Sequence, residues 1–360
     1  MKRIGVLGGT GKIGKRIIKI LKDDYFILAS YRTNKQESDE KCKFIQLDIS
    51  NVERLREFCR QCDIIINCAG ASYINGETVA RIASELNIPL VDPSGESFLE
   101  NRIDDIKNKN IFVLSSGYFP GMTGLLMRFL CDKFDKPKEL YGMSATREIP
   151  SKSAIEDFIL TNIAGFGLAL NYYENGEFKR DESEFIEVLK NQEYKFQNYY
   201  TVELDRVVKK YSLEKANWYN SEFSSNITQK MQEAIIKFRI KEASYEFKEI
   251  TNDIQQEFKK NIKDKEPFNY IRICVKGTNG NTELCRKVEI TNKYSSDISA
   301  VIAAYTAKAI LDLSLNNGIY YAMDIIDVDT IIRDLPKFNI KLNLTESIIE
   351  DDECYEEGEI

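Results

Sequence analysis

A short apolar run that ends in a glycine turn and continues as an amphipathic helix constrains this chain more than any other feature. Residues 3–7, Arg-Ile-Gly-Val-Leu, stop at Gly8-Gly9-Thr10-Gly11, and Lys12 to Leu21 then carries apolar residues at 13, 17, 18, 20 and 21. That order specifies a buried strand, a tight turn and a helix with one apolar face. The unit recurs, with strands expected at 25–31, 43–49, 63–70, 89–95 and 110–117 and helices at 52–59 and 77–87. Apolar strands alternating with amphipathic helices require a parallel sheet covered on both faces. The first 120 residues are therefore predicted to form a Rossmann-type, doubly wound α/β domain.

After Pro120-Gly121 the rhythm changes. A helix is expected from Thr123 to Phe134 and a strand over 139–148, followed by a charged, aromatic-rich stretch over 170–268 without βαβ alternation. Strands return at 270–277 and 283–292, separated by Thr278-Asn279-Gly280-Asn281, whose Asn-Gly pair marks a hairpin. This is antiparallel chemistry and predicts a second, α+β domain. A strong helix with small residues on one side is expected over 296–313. The expected division is 1–124 plus about 315–348 for the nucleotide domain, 125–314 for the substrate domain and 349–360 for an acidic tail.

Fifty Lys and Arg against 57 Asp and Glu give a net charge of −7, which argues against a nucleic-acid binder. There is no histidine, so Ser-His-Asp and Cys-His catalysis and His-based metal sites are excluded, and no metal is expected. Proton transfer must come from Lys, Tyr, Cys, Asp, Glu, the backbone or a cofactor. The 8 cysteines lack the density of a disulfide scaffold. With neither a signal-peptide core nor a membrane-spanning run, the expectation is a reduced, cytoplasmic protein.

Gly9, Gly11 and Gly14 satisfy GxGxxG at the head of the first βαβ unit. Glycine is needed where the backbone turns sharply and approaches a pyrophosphate, whose charge is met by N–H groups at the helix N-terminus. The predicted cradle is Gly8, Gly9, Thr10, Gly11, Lys12, Ile13 and Gly14. An NAD-selective domain carries a carboxylate at the end of the second strand. Here Ser30-Tyr31-Arg32-Thr33 stands there, and Arg32 suits a 2′-phosphate, with Ser30, Thr33 or Lys35 as helpers. NADP(H) is accordingly expected over NAD(H). Asp48 and Ile49 close the third strand near the adenine, and Cys68, Ala69 and Gly70 follow Asn67 near the nicotinamide.

Other patterns carry less. Cys59 and Cys62 form a CxxC at a helix end, where the dipole disfavours a thiolate. Two Tyr-x-x-x-Lys matches, Tyr31/Lys35 and Tyr211/Lys215, lie away from the helix where short-chain dehydrogenase chemistry needs them. The aromatic stripe from Phe178 to Phe258 has no basic patch and reads as core or dimer surface.

The loop VLGGTGKIG, the segment INCAGASYINGETVARIASELNIPLVDPSGE and the crossing VLSSGYFPGMTGLL resemble the saccharopine dehydrogenase-like reductases, whose relatives include lysine dehydrogenase and carboxynorspermidine dehydrogenase. The resemblance is good over the first 130 residues, weaker over 270–340 and nearly absent from 170 to 268. It implies a last helix and C-terminal residues packed back onto the nucleotide domain, an open sheet in the middle domain for substrate binding and dimerisation, and NAD(P)-dependent hydride transfer to or from an imine carbon beside a carboxylate. The family's Lys/His pair cannot be carried over to a chain without histidine.

Crevice-facing candidates for proton transfer are Tyr73, Asp92, Glu96 and Tyr118, with Asp92 and Ser94 equally readable as turn residues in Asp-Pro-Ser-Gly. Arg147, backed by Lys152, is the expected clamp for a substrate carboxylate, a surface salt bridge being its plain alternative. The expected function is an NADPH-dependent reductase of a C=N bond in an amino-acid-derived, carboxylate-bearing small molecule, acting as a homodimer. The alternatives are a C=C or C=O reductase on a carrier-bound or lipid substrate, and a non-catalytic NADP-sensing protein.

Overall fold

Ile4, Val6 and Leu7 are fully buried, as a strand covered on both faces requires. This strand, β1 (Arg3–Leu7), lies at the centre of a parallel sheet in a computed structural model that describes residues 1–164, 167–240 and 246–349. Its neighbours are β2 (Phe26–Tyr31) and β3 (Cys42–Gln46) on one side, and β4 (Ile64–Asn67), β5 (Leu90–Val91) and β6 (Ile111–Leu114) on the other. A seventh strand, Gly318–Tyr321, pairs parallel with β6 and returns from far along the chain. The strand order reverses between β1 and β4, the topological switch point at which open α/β sheets bind ligands. Sheet and order are those expected for a Rossmann-type domain, and the strands are shorter at their ends than the sequence runs.

Helix α1 (Lys12–Leu21) turns Ile17, Ile18 and Leu21 onto the sheet. Beside it packs the helix Ser295–Asp312, whose Ala300, Ala303, Ala304 and Ala307 are fully buried in the same core. Small side chains let two backbones approach closely, and ion pairs Arg16–Asp297 and Lys308–Asp24 flank the contact. Along the first half of the chain follow the helices α2 (Val52–Cys59), α3 (Ser72–Glu85), α4 (Ser97–Arg102), α5 (Met122–Cys131) and α6 (Lys152–Ala164).

The chain divides into two units: 1–122, 156–164 and 295–331 form the first, and 123–155, 165–294 and 332–360 the second. The expected boundaries need correction. The helix Ser295–Asp312 belongs to the nucleotide domain rather than the second, because its alanine face is buried there. The strand Lys341–Ile348 belongs to the second, because it pairs with Thr282–Asn292. Residues 350–360 of the acidic tail lie outside the described residues.

The second unit holds a mixed sheet of ten strands among the described residues. Phe268–Asn279 and Thr282–Asn292 form the expected hairpin, with Gly280 at φ 57° in its turn. Along the first of these strands Ile271, Ile273 and Val275 are fully buried, while Arg272, Cys274 and Lys276 alternate onto the opposite face. Lys136–Arg147 pairs between Lys215–Ser221 and Phe268–Asn279, and Gly142 leaves the space that the buried Trp218 ring fills. Within the stretch 170–268 the chain forms hairpins and the helices Val202–Tyr211, Ser225–Ile240 and Glu246–Ile262. No helix among the described residues is long and apolar enough to cross a membrane.

Candidate active site

The turn after β1 is built from glycines in distinct roles. Gly8 has φ 74°, and a side chain there would meet the Cys68 carbonyl oxygen at 2.5 Å. A Cβ on Gly14 would stand 2.4 Å from the Gly8 oxygen and 2.8 Å from Gly9 Cα, so α1 lies directly against the turn. Gly11 meets nothing closer than 3.2 Å and is exposed, leaving the N-terminus of α1 open to a ligand. No side chain caps that N-terminus and its first turn carries no acidic residue. An uncapped helix start beside a glycine backbone fits a pyrophosphate, whose oxygens replace the missing cap.

Ser30 supports the turn. It is buried, and its hydroxyl accepts the Gly8 N–H at 2.9 Å while its carbonyl accepts the Gly9 N–H at 2.8 Å. Arg32, one residue beyond β2, is exposed, as are Thr33 and Lys35. Asp48 is exposed and ionises readily, because its carboxylate accepts from the hydroxyl and amide of Ser50. Ile49 beside it is half-buried. Cys68 and Ala69 border the turn, and Gly70 after them has φ 64°.

Past β4 and β5 the structure assembles a polar core that the candidates foreshadow only in part. Asp92 has no exposed surface. Its Oδ2 accepts from Asn67 Nδ2 at 2.9 Å and Ser72 Oγ at 2.8 Å, and its Oδ1 accepts the Ser94 N–H at 3.0 Å. Oδ1 thus makes the turn contact within Asp-Pro-Ser-Gly, while Oδ2 reaches Asn67 and Ser72 on other elements. Burial pushes its carboxyl up to about 6 against the pull of these hydrogen bonds, with the charge of Asp157 adding to the rise. Asn67 also donates to Asn75 Oδ1 at 3.0 Å, and Asn75 in turn donates to the Ala69 carbonyl.

Asp157 was not among the sequence candidates. It comes from α6, and its carboxylate accepts the backbone N–H groups of Ser72 and Tyr73 and the hydroxyl of Ser94. Helix α3 follows Ala71, which has no side-chain oxygen to cap it, so Asp157 supplies the cap from a distant part of the chain. It keeps part of its surface accessible, and burial of the remainder raises its carboxyl above the ordinary range. Two carboxyls, Asp92 within and Asp157 at the rim, therefore stand on either side of Ser94, both held toward the protonated form.

The loop after β6 closes the other wall. Gly117 N–H donates to the Pro120 carbonyl at 3.1 Å, and Met122 N–H donates to the Gly117 carbonyl at 2.9 Å. A side chain on Gly117 would meet the Pro93 oxygen at 2.5 Å, so this loop packs on Asp-Pro-Ser-Gly. Tyr118 is half-buried, and Glu96 is 2% exposed at the start of α4. Tyr73 contributes its backbone to Asp157, while its ring lies 5.3 Å from Phe98 and 4.1 Å below the Arg102 guanidinium. Arg147 stands in the second unit. There its Nε donates to the Glu266 carbonyl and its Nη1 to Gln192, and the guanidinium covers the Phe268 ring. Lys152 is exposed. Cys59 and Cys62 are buried, with the Cys59 thiol pushed up by burial to about 12, which leaves it inert.

Residues 4–111 match the model of a family described as saccharopine dehydrogenase NADP binding domain. Among solved structures, the apo histidine-tagged saccharopine dehydrogenase (L-Glu forming) from Saccharomyces cerevisiae aligns with a TM-score of 0.66 at 13% identity, covering 96% of this chain and 100% of that one. The C. glutamicum DAP dehydrogenase in complex with DAP aligns over 92% of this chain and 98% of its own, at 9% identity and a TM-score of 0.46. A curated protein, auxiliary protein GraX of Staphylococcus aureus, is 25% identical over 118 residues, which is 32% of this chain. This chain covers 37% of the length of that relative. The likeness to the yeast enzyme is one of fold, and the family match covers the nucleotide domain.

Proposed function

We propose that this protein is an NADPH-dependent oxidoreductase that reduces a C=N bond in an amino-acid-derived substrate, a reading supported by the match of residues 4–111 to the saccharopine dehydrogenase NADP binding domain and by the fold shared with saccharopine dehydrogenase over 96% of the chain. The bound cofactor supplies the hydride; the residues of the chain bind it, orient it and manage the proton. The Gly8–Gly14 turn and the uncapped start of α1 hold the pyrophosphate, and Arg32 holds the 2′-phosphate.

The observation that carries the imine reading is the carboxyl pair Asp92 and Asp157 beyond the carboxyl ends of β4 and β5. A protonated imine accepts hydride far more readily than a neutral one, so an acid that still holds its proton near neutral pH is the group the reaction needs. In a chain without histidine, burial of a carboxyl is the route to such an acid. Asp157, the accessible member, gives its proton to the substrate nitrogen as hydride reaches the carbon. Asp92 acts as a positioning residue that fixes Ser72 and Ser94 through hydrogen bonds to its two carboxylate oxygens. Glu96 and Tyr118 line the same loops, and this reading gives the proton role proposed for them and for Tyr73 to Asp157. With Nε and Nη1 already donating inside its own unit, Arg147 is a weaker clamp than its sequence position suggests.

The test is NADPH consumption with 2-oxo acids mixed with amines or amino acids, with enoyl and keto compounds as controls. Imine-forming mixtures should be turned over with kcat/KM falling on the alkaline side. Asp157→Asn, which keeps an acceptor for the α3 amides, should lower kcat by about 10²- to 10⁴-fold, and Asp92→Asn should move the alkaline limb. Consumption with keto or enoyl compounds alone would overturn the reading.

A further inference from the structure

In the second unit the antiparallel pair Phe268–Asn279 and Thr282–Asn292 sets Cys274 opposite Lys287 and Cys285 opposite Lys276. Lys287 is two residues beyond Cys285, so both thiols point to the same face of the sheet and meet on the diagonal between the two strands. Such diagonal neighbours lie within reach of one another, and here the two sulfurs are in contact at 2.6 Å. The face they share is the charged one: Arg272, Lys276, Lys287 and Glu289 alternate along it, while Ile273, Val275, Val288 and Ile290 fill the buried side. Cys274 is half-buried and Cys285 is 7% exposed. These two strands exchange backbone hydrogen bonds over the whole hairpin, so the sulfurs are held together by the sheet rather than by their own loop.

From this placement we propose that Cys274 and Cys285 form a reversible cross-strand disulfide, a modification site separate from the nucleotide domain and independent of the proposed reaction. A disulfide needs its sulfurs about 2.0 Å apart, closer than the 2.6 Å at which they stand. The oxidant is a peroxide. The accessible Cys274, as thiolate, attacks one peroxide oxygen, the O–O bond breaks, and hydroxide leaves with the electron pair, giving a sulfenic acid. The Cys285 thiolate then attacks that sulfur, the S–O bond breaks, and the second hydroxide leaves. Two thiols lose two protons and two electrons, the peroxide is reduced to water, and one S–S bond forms. A small-molecule dithiol reverses the change by exchange.

The test treats the intact, folded protein with hydrogen peroxide, blocks remaining thiols with N-ethylmaleimide and maps the peptides without reduction. The expected result is a product 2 Da lighter that links Cys274 to Cys285 within one chain, is unlabelled at both positions and regains two labels after dithiothreitol. Cys274→Ser and Cys285→Ser, each nearly isosteric with the parent, should both abolish the linked peptide, and circular dichroism checks that each is folded. Labelling of both positions after oxidation, or capture of either cysteine by another partner such as Cys68 or Cys354, would overturn the proposal.

Discussion

Replacing Asp92 with asparagine should change how the stability of the protein depends on pH, by an amount the structure allows to be worked out. The carboxyl has no exposed surface, and burial moves it from the ordinary 3.8 to about 6. The folded state therefore holds this proton more tightly than the unfolded chain does. Its stabilising contribution is fully present below the unfolded value of 3.8 and is lost as the pH rises through about 6. At about 1.4 kcal/mol per pH unit, the full loss is about 3 kcal/mol at neutral pH. Asparagine does not ionise and escapes this loss. It can still accept from Asn67 and Ser72, but its amide faces the Ser94 N–H and forfeits that bond, a cost of about 1–3 kcal/mol that does not vary with pH.

The measurement is urea denaturation of parent and variant in parallel, from about pH 4.5 to about pH 7.5 at constant ionic strength, so that every other titrating group cancels in the difference. The variant should gain about 2 kcal/mol on the parent across that range. A difference that stays level with pH, or one that moves in favour of the parent, would refute the assignment of a proton to buried Asp92.

Further expectations concern cofactor and core. Gly14→Ala forces a methyl against the Gly8 oxygen and Gly9 Cα, both backbone atoms that cannot rotate away, and displaces the start of α1; calorimetric titration should show NADPH affinity lowered about tenfold or more. Arg32→Ala should weaken NADPH by about tenfold to a hundredfold and leave NADH nearly unchanged, a contrast read by the same titration; equal affinity of the parent for both nucleotides would contradict the selectivity. Ala304→Leu inserts a branched side chain where the helix Ser295–Asp312 packs within the nucleotide-domain core, and should cost about 1–3 kcal/mol by thermal or chemical denaturation.

The nucleotide turn shows how far local information reaches. Gly8 to Gly14 could be assigned from their order because strand, turn and helix are neighbours in the chain and Gly14 is demanded by the backbone of Gly8 and Gly9, although the atoms that crowd Gly8 belong to distant Cys68 and Ala69. Asp157 shows where that reach ends. Its signal would have been an uncapped helix, since α3 begins at Ala71-Ser72 without a capping oxygen, but which carboxylate supplies the cap is a matter of chain crossing. The stretch 170–268 held one readable sign that went unused: Asn175-Gly176, both at positive φ, turns the hairpin between Asn171–Glu174 and Glu177–Arg180.

Read alone, the amino-acid order determines the central strands and helices of the nucleotide domain, the open helix N-terminus, the arginine after β2 and the Asn-Gly hairpin of the second sheet. Each depends on periodicity or turn chemistry carried by adjacent residues. The tertiary structure alone decides that the helix Ser295–Asp312 and the strand Gly318–Tyr321 complete the first domain, that Asp157 joins Asp92, and that Cys274 touches Cys285. These depend on burial and on contacts between residues far apart in the chain, and a carboxyl takes up a proton near pH 6 only once the fold has removed the water around it.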